Sequence, residues 1–154
     1  MALSAEVMTA VLTELAEQIA ILQTELTESA MPVEDPAILD HLYRAAHTIK
    51  GLAGAVEMHD LHRLSNAMEL VISQGLSCAL VIDGSVGTTL REASAACAEL
   101  ASGEVSSTLN VEAMVARIEA IETSATPTRR VLFHATAAPY ARASGPPGDP
   151  PDDA

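Results

Sequence analysis

The chain has 154 residues, enough for one domain with a hydrophobic core. Acidic residues outnumber basic residues by 21 to 8, and the net charge of −13 argues against nucleic acid and anionic membrane surfaces as partners. No apolar run reaches the ~20 residues of a membrane span, and Glu6 stands where a signal peptide would carry basic residues. A cytoplasmic protein with neutral or basic protein partners is therefore expected.

Apolar residues recur at spacings of three and four along most of the chain, which is the periodicity of α-helices that pack on a core. Aromatic residues make up only 2% of the sequence, which favours an Ala/Leu-packed helical bundle over a sheet protein. The predicted fold class is all-α, an antiparallel four-helix bundle with an additional fifth helix. Its helices are expected at residues 5 to about 28, 36 to about 56, about 60–74, about 86–101 and about 111–123.

Local sequence signals predict where these helices begin and end. Asp35 followed by Pro36 combines an N-cap side chain with the ring that suits the first helical position. Gly75 is expected to end the third helix, because glycine readily adopts the left-handed conformation that follows a last turn. Residues 76–82 are apolar, but an isolated strand would have no partner, so a buried loop or a frayed helical turn is expected there.

The composition changes after residue 123, where helical periodicity ends and six of the eight prolines follow. The sequence therefore predicts a helical domain over residues 1–123 and a disordered Pro/Gly/acidic tail or linker over residues 124–154. Cys78 and Cys97 lack the spacing of metal ligands, and both are expected to be reduced packing residues.

The second predicted helix carries an unusual outer face. With about 100° of rotation per residue, its core side is formed by Ile38, Leu42, Ala46, Ile49, Ala53 and Val56. His47 falls nearly opposite, and Lys50, Gly51 and Gly54 lie beside it. Each glycine inside a helix costs about 1 kcal/mol relative to alanine. Close approach of another molecule would explain two of them, and tight helix–helix packing is the alternative.

The stretch from Tyr43 to Gly54 has the sequence YRAAHTIKGLAG, and Asn66 and the pair Met68-Glu69 follow it. It resembles the histidine phosphotransfer (HPt) domains, most closely the N-terminal domain of CheA-type chemotaxis kinases. The resemblance rests on a His-x-x-Lys-Gly core, a second small residue and a downstream carboxylate, and it extends over residues 4–123. Two positions depart from the family: Leu52 replaces a common glycine or serine, and Asn66 replaces a frequent histidine.

The resemblance implies a phosphorelay in two-component signalling. His47 would accept a phosphoryl group from a CheA-type histidine kinase catalytic domain and donate it to the aspartate of a CheY-like response-regulator receiver domain. Lys50 would steady the phosphoryl oxygens, and Glu69 would orient the His47 ring. The residues expected to dock the receiver are Arg44, Gly51, Leu52 and Gly54.

The chemistry of these residue types fits that role. A neutral imidazole is a competent nucleophile near neutral pH, provided that one ring nitrogen is free and the other carries the proton. If Glu69 accepts the Nδ1 proton of His47, Nε2 is left to attack phosphorus. Neither a Gly-x-x-x-x-Gly-Lys loop nor a Gly-x-Gly-x-x-Gly motif occurs in the sequence. We therefore expect no cofactor bound by the chain itself, with ATP and Mg²⁺ supplied by partner domains, whether the chain stands alone or belongs to a larger kinase.

Two alternatives remain open from sequence alone. The chain could be a non-catalytic helical adaptor without phosphoryl chemistry. It could also bind a metal ion through His59 and His62, whose spacing of three residues places both on one helix face. No third ligand is predicted nearby, so surface histidines and no metal site are expected.

Overall fold

The computed structural model describes residues 2–125, which form five helices joined by short connections. The helices are α1 (Ala5–Glu28), α2 (Pro36–Ala55), α3 (His59–Leu76), α4 (Gly84–Ser102) and α5 (Val111–Ser124). All five lie within two residues of the predicted boundaries. The all-α prediction is confirmed, since residues 2–125 contain no strand beyond one isolated bridge.

The first four helices form the bundle. Helix α1 packs against α2 and α4, and α3 packs against the same two neighbours, so the four helices enclose a common core. Helix α5 lies outside this ring, where it contacts α3 and α4. The antiparallel four-helix bundle with an added fifth helix is therefore confirmed.

Capping side chains position the helix starts. The Asp35 carboxylate accepts a hydrogen bond of 2.9 Å from the backbone N–H of Ala37, which leads α2 into the bundle. Asn110 accepts a bond of 3.0 Å from Ala113 at the start of α5. These bonds satisfy backbone donors that have no partner inside the helix. Helix α4 ends at a C-cap glycine, Gly103, whose φ of 76° is readily adopted only by glycine.

The core consists of aliphatic side chains from all five helices, in agreement with the predicted apolar faces. On α2 the expected inner side is confirmed for four buried residues, whereas Ile38 and Val56 are only partly buried near the helix ends. Large side chains that are fully buried fill the centre: Leu15, Leu22, Leu26, Leu42, Ile49, Leu61, Leu64, Met68, Ile72, Ile82, Leu90 and Ile118. The core thereby keeps the inner side of α2 in place and turns its opposite side outward.

The prediction for the end of α3 was wrong. Gly75 lies inside the helix, which continues to Leu76, and it is buried. The neighbouring Ile82 leaves no room for a side chain there, since a Cβ on residue 75 would lie 2.9 Å from Ile82 Cδ1. Ile82 itself is 1% exposed, and its carbonyl accepts a 2.9 Å hydrogen bond from the Val33 N–H in the α1–α2 connection. Ile82 thus pairs with one residue of a distant loop, which sequence spacing did not indicate. The loop predicted for residues 76–82 is present from residue 77 onward, but Ile82 is its only buried residue.

The two cysteines occupy different environments. Cys97 is buried with its sulfur 3.9 Å from that of Met68, and burial raises the pKa of its thiol to about 12. This supports the predicted packing role of Cys97. Cys78 is exposed at the turn after α3, so the same prediction was wrong for Cys78.

The domain boundary stays a prediction. Residues 126–154, which include nearly all of the predicted tail, lie outside the described residues. Ser124, assigned to the tail from sequence, is the last residue of α5. Within residues 2–125, none of the helices has the length and apolar character that crossing a membrane requires.

Candidate functional site

His47 lies in the middle of α2 on the side away from the core. Its side chain is 60% exposed, while its neighbour Ala46 is fully buried. The ring of Tyr43, one turn earlier, stacks on the imidazole with ring centroids 6.0 Å apart and an angle of 17° between the planes. The helix therefore presents this imidazole to solvent with one flank covered by an aromatic ring.

Glu69 reaches the same imidazole from helix α3. Its side chain is 9% exposed, and Oε1 accepts a hydrogen bond of 2.9 Å from Nδ1 of His47. The second oxygen, Oε2, lies 2.5 Å from the Lys50 ammonium. This contact is an ion pair without good hydrogen-bond alignment at the oxygen. Both oxygens of a nearly buried carboxylate are therefore compensated by cationic or proton-donating neighbours.

These contacts keep Glu69 ionised. Burial is the largest single influence and raises the pKa of the carboxyl, but the ion pair with Lys50 and the hydrogen bond from His47 together outweigh it, and the net pKa lies below the ordinary 4.5. An ionised carboxylate only accepts hydrogen bonds, so the proton between the two side chains belongs to Nδ1 of His47. In the neutral ring Nε2 is consequently unprotonated and carries a free electron pair.

Lys50 contacts the carboxylate that orients His47. The two residues share one face of α2, a single turn apart, and the Lys50 side chain is 24% exposed. Its expected contact with a phosphoryl group stays a prediction. The observed ion pair adds a role that the sequence analysis had not assigned, which is to neutralise Glu69.

Three of the four predicted docking residues lie on the exposed face around His47. Arg44 is exposed and forms an ion pair of 2.8 Å with Asp40, one turn before it on α2. Gly51 is exposed, and a Cβ there would meet no atom within 4 Å. Leu52 differs, because it is partly buried against the core and lies about 140° around the helix from His47. The structure therefore does not bring Leu52 to the His47 face.

Gly54, the fourth predicted docking residue, is exposed but has a neighbour from α3. A Cβ at Gly54 would lie 3.2 Å from Nδ1 of His62. The same nitrogen donates a hydrogen bond of 3.0 Å to the backbone carbonyl of Lys50. Of the two explanations for the glycines, open space therefore holds for Gly51, whereas close contact with a neighbouring helix holds for Gly54.

Sequence reasoning missed two residues of this site. Tyr43 was quoted in the motif but given no role, although its position four residues before His47 places it on the same helix face. His62 was considered only as a metal ligand with His59. Its contact with α2 depends on how α2 and α3 pack, which helical periodicity does not specify.

The other described histidines of the chain, His41 and His59, lie at the surface. His41 on α2 is 52% exposed, and its Nδ1 lies 2.8 Å from a Glu25 carboxylate oxygen on α1. His59 is exposed at the first position of α3. Among residues 2–125, His, Cys, Asp and Glu side chains form no group of three or more that could hold a metal ion.

Comparison with known proteins identifies the family of the chain. The model of the Hpt domain family matches residues 6–123, and the chain belongs to this family. It is a histidine phosphotransfer module of two-component signalling, which confirms the resemblance inferred from the motif. Over 69 residues the chain is 39% identical to the chemotaxis protein CheA of Treponema pallidum (strain Nichols). That similarity covers 42% of this chain, and the chain spans only 8% of the length of that relative.

Proposed function

We propose that His47 is the phosphoryl-accepting residue of this module. It receives the phosphoryl group from a CheA-type histidine kinase catalytic domain and donates it to the aspartate of a CheY-like receiver domain, in a cytoplasmic chemotaxis pathway. One observation carries the proposal: an exposed imidazole donates its Nδ1 proton to the nearly buried Glu69, which Lys50 neutralises. The local similarity to a chemotaxis protein supports the choice of partners.

In the first transfer, the electron pair on Nε2 of His47 attacks the γ-phosphorus of ATP held by the kinase domain. A P–N bond forms, the bond from phosphorus to the β,γ-bridging oxygen breaks, and ADP leaves with that electron pair. The ring keeps its Nδ1 proton and becomes cationic. Glu69, 2.9 Å from Nδ1, stabilises the positive charge as it develops.

In the second transfer, a carboxylate oxygen of the receiver aspartate attacks the same phosphorus. The P–N bond breaks and its electron pair returns to Nε2, which restores the neutral ring. The Nδ1 proton stays on His47 throughout, so neither transfer requires a proton to leave the Glu69 hydrogen bond. Lys50 can turn from Glu69 toward the added phosphoryl oxygens, because its flexible stem lies one turn from His47.

The partners supply the remaining components. The sequence has neither of the two glycine-rich phosphate loops that indicate a nucleotide site. We infer that ATP and Mg²⁺ are bound by the kinase domain in the first transfer and that Mg²⁺ is bound by the receiver in the second. Arg44 and Gly51 would lie under the docked receiver, since both are exposed near His47.

The test is labelling with a CheA-type kinase core and γ-labelled ATP, in which we compare the wild-type chain with His47→Gln and His41→Gln. We expect a label that is lost in acid and stable in base in the wild type and in His41→Gln, and no label in His47→Gln. The control is closely matched, because His41 lies on the same helix, is 52% exposed and also contacts a carboxylate, at 2.8 Å.

Mass spectrometry of the labelled chain then locates the phosphoryl group. Equal labelling of wild type and His47→Gln would refute His47 as the acceptor. Absence of label from the wild type with kinase cores that label their own phosphotransfer domains would favour the adaptor function instead. Loss of label from the chain on addition of a CheY-type receiver domain, with its appearance on that domain, is the expected second step.

A further inference from the structure

His62 bridges α3 to α2 close to the site. A backbone carbonyl can only accept a hydrogen bond, so the 3.0 Å contact with the Lys50 carbonyl requires that Nδ1 of His62 carries a proton. The residue remains exposed despite this bond. Lys50 is consequently held by α3 at both ends, at its carbonyl by His62 and at its ammonium by Glu69.

Gly54 provides the space that the His62 ring occupies. A Cβ on residue 54 would lie 3.2 Å from Nδ1 of that ring, so the ring would have to move by a few tenths of an ångström, whereas the 3.6 Å distance to Cε1 is an ordinary contact. At Gly51 the same Cβ would meet nothing within 4 Å. The presence of glycine at these two positions therefore has a different physical explanation in each case, although the sequence places both on one face of α2.

The position of the ring brings it under any partner that reaches His47. Gly54 lies seven residues after His47, which corresponds to about 10 Å along the helix axis and about 20° around it. A specific protein interface covers about 800 Å² on each partner, or a disc of roughly 16 Å radius. A receiver centred on His47 would therefore cover Gly54 and the imidazole packed against it.

We propose that His62 is a docking residue for the receiver domain and that Gly54 is glycine in order to seat the His62 ring. This inference rests on the proposed function of His47. The ring offers a partner an apolar face and an Nε2 atom, while its Nδ1 is committed to the Lys50 carbonyl. The site for the receiver is thus built from α2 and α3 together rather than from α2 alone.

The test uses the full chain phosphorylated on His47 and a CheY-type receiver domain, with the transfer rate measured against receiver concentration. We expect His62→Ala to raise the half-saturating receiver concentration on the order of five- to tenfold and to leave the maximal rate within about twofold. His59→Ala is the matched control, because it removes an exposed histidine from the start of the same helix. We expect no change in that variant.

A third variant separates docking from a structural role of the hydrogen bond. In His62→Asn the Nδ2 atom replaces Nδ1 and keeps the bond to the Lys50 carbonyl, but the ring is gone. We expect its melting temperature to match the wild type and its half-saturating concentration to match His62→Ala. If His62→Asn transfers like the wild type, the hydrogen bond alone matters and the docking proposal is overturned.

Gly54→Ala completes the set. We expect it to raise the half-saturating concentration in the wild-type background and to have no further effect in His62→Ala, because the displaced ring is then absent. An equal effect in both backgrounds would overturn the assignment of Gly54 to the ring. Unlabelled wild type would remove the proposed function and this inference together, whereas labelled wild type with unchanged half-saturation in His62→Ala would remove only this inference.

Discussion

Glu69 connects the two ionisable side chains of the site. A carboxylate that is only 9% exposed loses most of its hydration, and it remains charged here because Lys50 and His47 together lower its pKa by more than burial raises it. The same charge holds the His47 proton on Nδ1. One buried acid thus governs both the stability of the α2–α3 contact and the tautomer of the exposed ring.

Substitution Glu69→Gln tests this coupling through pH. Because the pKa of Glu69 is depressed in the folded state, its charge stabilises the fold above the ordinary pKa of 4.5, and that contribution is lost as pH falls through the folded pKa. We expect the variant to be less stable by about 1–3 kcal/mol at neutral pH. We also expect its melting temperature to fall less steeply than that of the wild type below about pH 5.

Thermal unfolding followed by circular dichroism between neutral and acidic pH measures both effects. Glu112→Gln serves as the control, because that carboxylate is 79% exposed in its ion pair with Arg63 and should contribute little. If the melting temperatures of the wild type and Glu69→Gln fell equally steeply at acidic pH, the conclusion that Glu69 is ionised in the folded protein would be contradicted.

Gly51 in α2 and Gly75 in α3 have different surroundings. We therefore expect alanine substitutions at these two positions to change the stability of the fold in opposite directions. Gly51→Ala adds a methyl group where nothing lies within 4 Å, so the gain in helix propensity should stabilise the fold by about 0.5–1 kcal/mol. Gly75→Ala places the same methyl 2.9 Å from a buried isoleucine, and the overpacking should destabilise the fold by about 1 kcal/mol net.

Denaturant unfolding of both variants checks this pair. A stabilised Gly51→Ala that transfers phosphoryl groups more slowly to a receiver would indicate that the open surface at residue 51 serves docking. A destabilised Gly51→Ala would show that its surroundings are more crowded than the structure indicates.

At the scale of the whole molecule, the net charge belongs to the helical part of the chain. The three arginines and three aspartates after residue 125 balance, so residues 1–125 carry the entire net charge of the chain. Within residues 2–125, the buried core residues come from α1 to α5 and the short connections between them. We therefore expect the acidic bundle to bind neutral or basic surfaces on its partner proteins.

Removal of residues 126–154 tests the predicted boundary. Because this truncation leaves the described core and the net charge unchanged, we expect the melting temperature to shift by less than about 2 °C and the label on His47 to persist. A larger loss of stability would place part of the folding unit beyond residue 125. Calorimetry on the full and truncated chains provides the measurement.

Much of this architecture could be predicted from local patterns. The spacing of apolar residues predicted five helices, and Asp35 with Pro36 predicted the start of α2, since capping and periodicity act over a few neighbouring residues. The end of α3 could not be predicted in this way. Gly75 resembles a helix stop in sequence, but its burial against Ile82 reflects contacts between distant segments.

The order of residues on α2 was sufficient to turn His47 outward, because a helix with one apolar face must expose the opposite face. Packing of α3 on α2 decided what that imidazole touches. It brought Glu69 to Nδ1, engaged Lys50 with the same carboxylate, and seated His62 over Gly54. Those contacts join residues 8 to 22 positions apart, and only the relative placement of two helices determines which side chains meet across such a separation.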